Sequence, residues 1–437
     1  MQFNSIGFIF HFLPLFLAAY YLLPKSWRSG LLVAGSLLFY YFGSNEPWLT
    51  LWVLIGTTAF TYLMGVCMER LNKVQVLSFS LAVLAAILVF FKLYDGGSML
   101  PVGMSFYLFQ MAADLIDIRR KRLEPETNLV RFGTQILMFP KLLSGPLVEP
   151  QRLKEQVKWP RTSQIRFHSG LQELVLGLSL KVLVADRVAG LWDQAWVIGV
   201  DSLSWAVAWG ALIAFALRLY LDFHGYSLMA VGLGKMLGFE LPHNFDEPYS
   251  ARSVSDFYRR WHRSLTGWFR NYVYIPLGGN RNGKLRMIRN VLAVWILTGA
   301  WHGNGGNYLL WGLILGTLII NEKLWLGRLL EKMPLGSHVY TIFAVLISWI
   351  PFAIGDWGQM WTFLGRLLSV GSGGGGLLLR YFPIMLIGIL FATPVPGLLV
   401  DAFRDWIWFD IILFVLFWLS VYQISTAPQD PFLYFKF

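Results

Sequence analysis

Two histidines stand out by the company they keep. His302 lies in GAWHGNGGNYLLWG (Gly299–Gly312), between the apolar stretches VLAVWILT and YLLWGLILGTLII. An imidazole at membrane depth is costly unless it faces a polar partner or a water-filled cavity. A neutral imidazole can take a proton from a hydroxyl and later return it. Gly303, Gly305 and Gly306 leave room for a substrate to come close. The backbone N–H groups of Gly303–Gly306, with Asn304 and Asn307, are candidate donors to a developing oxyanion. The plainer alternative is a histidine that only hydrogen-bonds a neighbouring helix. His262, in RRWH, is the second candidate; by itself its setting also suits an interfacial histidine in a basic helix.

The remaining polar residues exclude several chemistries. Cys67 is the sole cysteine, so no intramolecular disulfide can form, and no Cys/His group has zinc spacing. Neither IPLGGNRNGK nor HGNGGN matches a phosphate loop, and G-x-S-x-G is absent. Asp114 and Asp117 end an apolar run beside RRKR, where charge pairing explains them. Asp222 ends another and could orient a histidine or an arginine; His224 just follows it and could be functional or structural. His11, His168, His243 and His338 suit ordinary loop or packing roles.

The elements that position these groups must be membrane helices. Hydrophobic residues form 56 % of the 437, and charged residues only 14 %, against about a quarter in soluble domains. At ~20 residues per span, ten to twelve segments fit. The fold expected is an all-α polytopic membrane protein forming one membrane-embedded domain, 1–437. Its N-terminal spans cover 1–125, the catalytic core 126–320 and the C-terminal spans 339–437. The net charge of +11 fits basic cytoplasmic loops against membrane lipids, not nucleic acid.

Apolar runs begin at about 5–23, 30–43, 49–68, 76–94 and 101–118. The first has no early basic residue and no cleavage site, and reads as a retained span. Lys25 with Arg28, Arg70 with Lys73, and the IRRKR segment (Ile118–Arg122) alternate with loops holding only Glu46 or Asp95, which places the N-terminus outside. Residues 129–153, interrupted by Pro140, Lys141 and Pro146, read as re-entrant or surface-lying. Further spans are expected at 168–185, 203–223, 339–355, 377–399 and 407–424. SVSDFYRRWHRSLTGWFR suits one amphipathic helix at the interface, with Arg259, Arg260 and Arg263 toward head groups or cytosol. The run 290–320 has basic residues at both flanks (Arg289; Lys323 and Arg328), so it should enter and return, bending near Gly303–Gly306 around a cavity. Ser369–Gly376 reads as a flexible linker, and no internal repeat is visible.

Taken together, ordered blocks along the chain resemble the membrane-bound O-acyltransferase family, in particular its bacterial alginate-O-acetylation branch. They are PVGMSFYLFQ (101–110), FPKLLSGPLVEP (139–150), KVLVADRVA (181–189) and the long block from YLDFHGYS to YIPLGGNR (220–281). GAWHG (299–303) and the ending QDPFLYFKF (429–437) complete them. The resemblance implies about eleven transmembrane helices with re-entrant segments around a central funnel or tunnel, in the bacterial cytoplasmic membrane. It implies transfer of an acyl group, acetyl in this branch, from a cytoplasmic thioester to a hydroxyl. The donor, acetyl-CoA or an acyl carrier, is a substrate, and no cofactor or metal is implied. His302 would be the essential histidine and His262 the second. Trp301 and Gly303 would shape the site, and Asn280 and Arg281 of the PLGGNR block join Asn304 and Asn307 as candidate substrate-binding residues. A secreted or membrane-anchored SGNH-type acetyltransferase is a candidate partner to relay the group to a polysaccharide. Where related chains carry a serine and an aspartate, this one has His224 and Leu228. The competing readings are D-alanyl transfer from a carrier protein toward teichoic acid and, from other classes, a transporter or flippase or a structural scaffold.

Overall fold

The computed structural model describes residues 1–94, 99–281, 283–369, 373–427 and 432. Every regular element among these residues is helical. A helix satisfies its own backbone polar groups, which lipid cannot do. Among the described residues, six helices are long and apolar enough to cross a membrane, or seven if one bent pair counts as a single span. The chain is a multi-pass membrane protein. A count of about eleven must also draw on shorter helices, such as the 16-residue Arg28–Gly43 and Met104–Arg119.

The chain forms two compact units. The first holds Met1–Leu178, Tyr226–His243 and the described residues from Phe417 onward except Phe432. The second holds Ser179–Gly225, Asn244–Leu416 and Phe432. These bounds cut the chain differently from the division at 125, 320 and 339.

In the first unit, α1 (Leu13–Leu22), α2 (Arg28–Gly43), α3 (Pro47–Cys67), α4 (Lys73–Leu93) and α5 (Met104–Arg119) follow the five apolar runs. Local chemistry sets their starts: Pro47 opens α3, and the Asn72 side chain accepts the Val74 N–H at 3.0 Å to cap α4. Aromatic packing fills the core, with Phe3 stacked on Tyr226 at 5.1 Å and Phe139 edge-on to Phe12 at 5.5 Å. Asp117 lies 3.9 Å from Arg120, the local charge pairing expected of it. The 129–153 stretch holds two short helices, α6 (Leu129–Leu137) and α7 (Phe139–Leu142), and the start of α8 (Pro150–Lys158), after which comes α9 (Gln164–Ser179). They are not a full span. Residues 132–146 are buried in protein, so they do not lie on a surface either.

The second unit begins with α10 (Asp186–Ile198) and α11 (Trp205–Met236). The 32-residue α11 runs well past the expected end at 223 and supplies residues to both units. Asp222 and His224 therefore lie inside a helix. The polar charge is tolerated there because Asp222 Oδ1 stands 2.6 Å from Lys181 Nζ, itself 1 % exposed, and Asp186 Oδ1 lies equally close. Lys181, a residue type not among those expected, is thus one partner of Asp222.

The stretch expected to be one interfacial helix is two, α12 (Val254–Arg260) and α13 (Arg263–Phe269). A distant segment makes the break. The Arg263 N–H donates to the Asn244 carbonyl (2.8 Å) and the Asp246 N–H to the Arg260 carbonyl (3.1 Å). The Ser264 hydroxyl donates to Asn244 Oδ1 (2.6 Å). Arg259 and Arg263 stay exposed, as expected, whereas Arg260 is half-buried, bonding Asp256 at 3.1 Å.

Then α14 (Lys284–His302) and α15 (Gly306–Asn321) form an antiparallel hairpin that turns at 303–305, as the glycines predict. A Cβ on Gly299 would stand 2.5 Å from the Tyr308 carbonyl oxygen, and one on Gly312 2.4 Å from that of Trp295. Only glycine allows this backbone approach. The remaining helices are α16 (Gly327–Glu331), α17 (Pro334–Ala353), α18 (Trp357–Leu368), α19 (Gly375–Phe391), α20 (Val395–Phe403) and α21 (Ile407–Thr426). The expected 377–399 span is bent by 69° between α19 and α20, at the prolines 394 and 396. Asp95, residues 370–372 of the linker, Asn282 and the ending QDPFLYFKF, apart from Phe432, lie outside the described residues. The Phe432 ring faces Lys181 Nζ at 5.1 Å.

Candidate active site

His302 closes α14 and is 7 % exposed. Its ring is held on several sides by aromatic groups: Trp301 at 4.4 Å, and Trp311 (5.0 Å) and Phe352 (5.0 Å) both edge-on. Asn307 helps to fix this arrangement. Its amide Nδ2 donates to the Pro351 carbonyl at 2.9 Å, one of the orphan acceptors at the C-terminal end of α17. That bond joins the start of α15 to the turn of α17 that carries Phe352.

His262 occupies the break between α12 and α13 with φ +45° and ψ +53°, a left-handed conformation that a non-glycine residue adopts at a cost. It is 3 % exposed, and its ring stands edge-on to Phe223 at 4.7 Å. It lies outside the helices long enough to span. Burial lowers its pKa to about 3, so the ring is neutral at physiological pH.

Both histidines line one cavity of about 300 Å³, a volume at the small end of ligand sites. Tyr258, Trp261, Trp295 and Trp311 give it an aromatic wall, while Arg259, Arg270 and Lys323 add three cations. No carboxylate is among its lining residues. The arrangement can hold an apolar chain with an anionic head next to two imidazoles.

The other candidates stand elsewhere. Trp301, Gly303, Asn304, Asn307, Asn280 and Arg281 are not among the residues lining this cavity. Trp301 packs on His302 from behind, Asn304 is exposed, and Asn307 is a buried clamp. Asn280 and Arg281 are exposed in the turn that follows Tyr274. Gly278 and Gly279 take positive φ there (+104° and +56°), which explains the glycine pair. The turn is held by Asn290, which is fully buried and donates to the carbonyls of Leu277 (3.1 Å) and Gly279 (2.9 Å). Sequence reasoning missed Asn290, Tyr258, Trp295 and Trp311. Only the density of aromatics around the two histidines could have hinted at the last three.

Gly303 is in extended backbone (φ −177°), so the need for glycine there is steric. A Cβ would stand 2.2 Å from Cε2 of Tyr308, whose ring packs edge-on to Phe352 at 5.6 Å. Gly303→Ala should cost about 1–3 kcal/mol by overpacking, read as a lower Tm in detergent. Combined with Tyr308→Ala, its effect should be smaller than the sum of the two single changes. Strict additivity would show that the ring is not the obstacle.

Comparison with known proteins decides the family. Residues 69–357, which include both histidines, match the membrane-bound O-acyltransferase family. The chain belongs to that family. The acyltransferase is 31 % identical to the probable alginate O-acetylase AlgI of Pseudomonas putida, with the whole of both chains covered. It is 32 % identical to the peptidoglycan O-acetyltransferase of Helicobacter pylori over 72 % of this chain and 69 % of that one. It is 27 % identical to the teichoic acid D-alanyltransferase of Bacillus subtilis over 48 % of this chain and 56 % of that one. An O-acyltransferase is an enzyme, which sets aside the transporter and scaffold readings.

Proposed function

We propose that this acyltransferase moves an acetyl group from a thioester supplied on the cytoplasmic side, acetyl-CoA or an acyl carrier, to a hydroxyl on an extracytoplasmic polysaccharide or partner protein. The observation that carries the reading is the shared cavity: two histidines 40 positions apart in the sequence line one aromatic space that has three cations and no carboxylate. The cations suit the phosphates of coenzyme A or of a phosphopantetheine arm. The aromatic wall suits the apolar part of the arm and its thioester.

His302 acts as general base. Its imidazole accepts the proton of the attacking hydroxyl as the new C–O bond forms at the thioester carbonyl. The C–S bond then breaks, and the departing thiolate takes a proton, which the imidazolium can supply. The phenols of Tyr258 and Tyr274, which line the cavity, are donors at hand for the oxyanion. His262 orients donor or acceptor. The alternation of basic loops supports an N-terminus on the outer side, and the bacterial origin of the relatives supports the inner membrane. An SGNH-type acetyltransferase is the kind of partner that would carry the acetyl group onward.

Acetyl rather than D-alanyl transfer is favoured by coverage. Likeness to the D-alanyltransferase extends over about half of this chain, and likeness to the alginate-type relative over all of it. The test is purified protein in nanodiscs with radiolabelled acetyl-CoA and de-O-acetylated alginate. Release of free thiol with label on the polymer is expected. No turnover with acetyl-CoA, alongside turnover with a D-alanyl carrier protein, would replace this reading by its rival.

A further inference from the structure

A buried carboxylate at the end of α15 ties that helix to the start of α12, the helix that ends just before His262. Glu322 follows the last residue of α15 and opens a π-helical turn, Glu322–Leu326; such turns concentrate at functional sites. It is 7 % exposed. Its Oε1 accepts the Val254 N–H at 2.6 Å and its Oε2 the Ser255 N–H at 2.8 Å. Ser253 Oγ accepts the next N–H, that of Asp256, at 3.0 Å. The first three donors of α12 are therefore satisfied, two of them by one residue 67 or more positions away.

The placement gives this clamp a consequence for the site. The helix α12 ends at Arg260, two residues before His262, and α15 begins at Gly306, four residues after His302. His262 follows the C-terminal end of α12, and His302 ends α14 across the 303–305 turn from the start of α15; Glu322 bonds the opposite ends of α12 and α15 to each other. Glu322 does not line the cavity of the histidines. It lines a second one of about 380 Å³, with Arg252, Ser253 and Glu331. Its neighbours Ser255 and Lys323 line both.

We propose that Glu322 is a positioning residue of the transfer reaction: by holding the first turn of α12 against the end of α15, it sets His262 in the cavity that His302 lines. This rests on the reading that the two histidines work in one site.

The test compares wild type with Glu322→Gln and Glu322→Ala, and with Glu173→Gln as a control. Glu173 pairs with Lys235 at 2.6 Å in the other unit. Glutamine keeps one acceptor but turns an NH2 toward the second N–H, so it should act as a partial rescue. The expected order of kcat is wild type, then Gln, then Ala, with the alanine variant lower by about 10- to 100-fold, the range a misplaced group can cost. KM for acetyl-CoA should change far less, and Glu173→Gln should keep wild-type kcat. A second readout needs no donor: carbethoxylation of His262 by diethyl pyrocarbonate, followed by peptide mass spectrometry. The buried ring should react slowly in wild type and several-fold faster in both Glu322 variants. Unchanged His262 reactivity, or a kcat loss matched by Glu173→Gln, overturns the proposal. Absence of acetyl-CoA turnover in wild type with accelerated carbethoxylation would instead overturn the donor and leave the clamp standing.

Discussion

His302→Gln should lower acetyl transfer by about 10²–10⁴-fold, the usual worth of a positioned general base. Glutamine is the informative replacement because it leaves a polar side chain of similar reach among Trp311 and Phe352, where alanine would leave a hole. Because the base acts as the proton moves, kcat and kcat/KM should fall together while donor binding persists. A melting curve in detergent controls for folding, since the ring is packed edge-on to two aromatic neighbours 5.0 Å away. A variant that keeps its fold and more than about a tenth of wild-type activity would place the base elsewhere.

The second large effect belongs to His262. Asparagine is among the few non-glycine residues that tolerate left-handed backbone, so His262→Asn keeps the φ of +45° and removes the imidazole. Transfer should drop by about 10²-fold, as for a misplaced substrate. The same variant has a stability signature. In the folded protein, burial lowers the His262 pKa to about 3, below the ~6.5 of an unfolded histidine. The unfolded chain thus binds this proton more readily. The stability it contributes is complete above about pH 6.5 and is lost as pH falls from there toward the folded value. Wild-type Tm should decline over that interval more steeply than that of His262→Asn. Parallel curves would mean that the ring is not buried as described.

Much of this was legible in the sequence, and what was not has physical reasons. The helical membrane class follows from composition. The hairpin turn at 303–305 follows from glycines between two apolar runs with basic flanks. The two histidines were marked by RWH and WHG, and the structure brings them to one cavity. The break at His262 was hidden because its causes are Asn244 and Asp246, which no local helix pattern in SVSDFYRRWHRSL reveals. Helix α11 ran past its expected end because the charge of Asp222 is met by Lys181, 41 residues earlier. Asn280 and Arg281 were chosen because they lie in a recognisable block. In the structure that block is an exposed turn, and the residue holding it, Asn290, carries no signal of its own in the sequence.

The most direct measurement is a cryo-EM map of the full chain in nanodiscs with a thioether analogue of acetyl-CoA that cannot transfer its acetyl group. Density is expected in the cavity lined by His262 and His302, with the acetyl carbon beside the His302 ring and phosphate density against Arg259, Arg270 or Lys323. An analogue bound at a site that touches neither histidine, with this cavity closed, would contradict it.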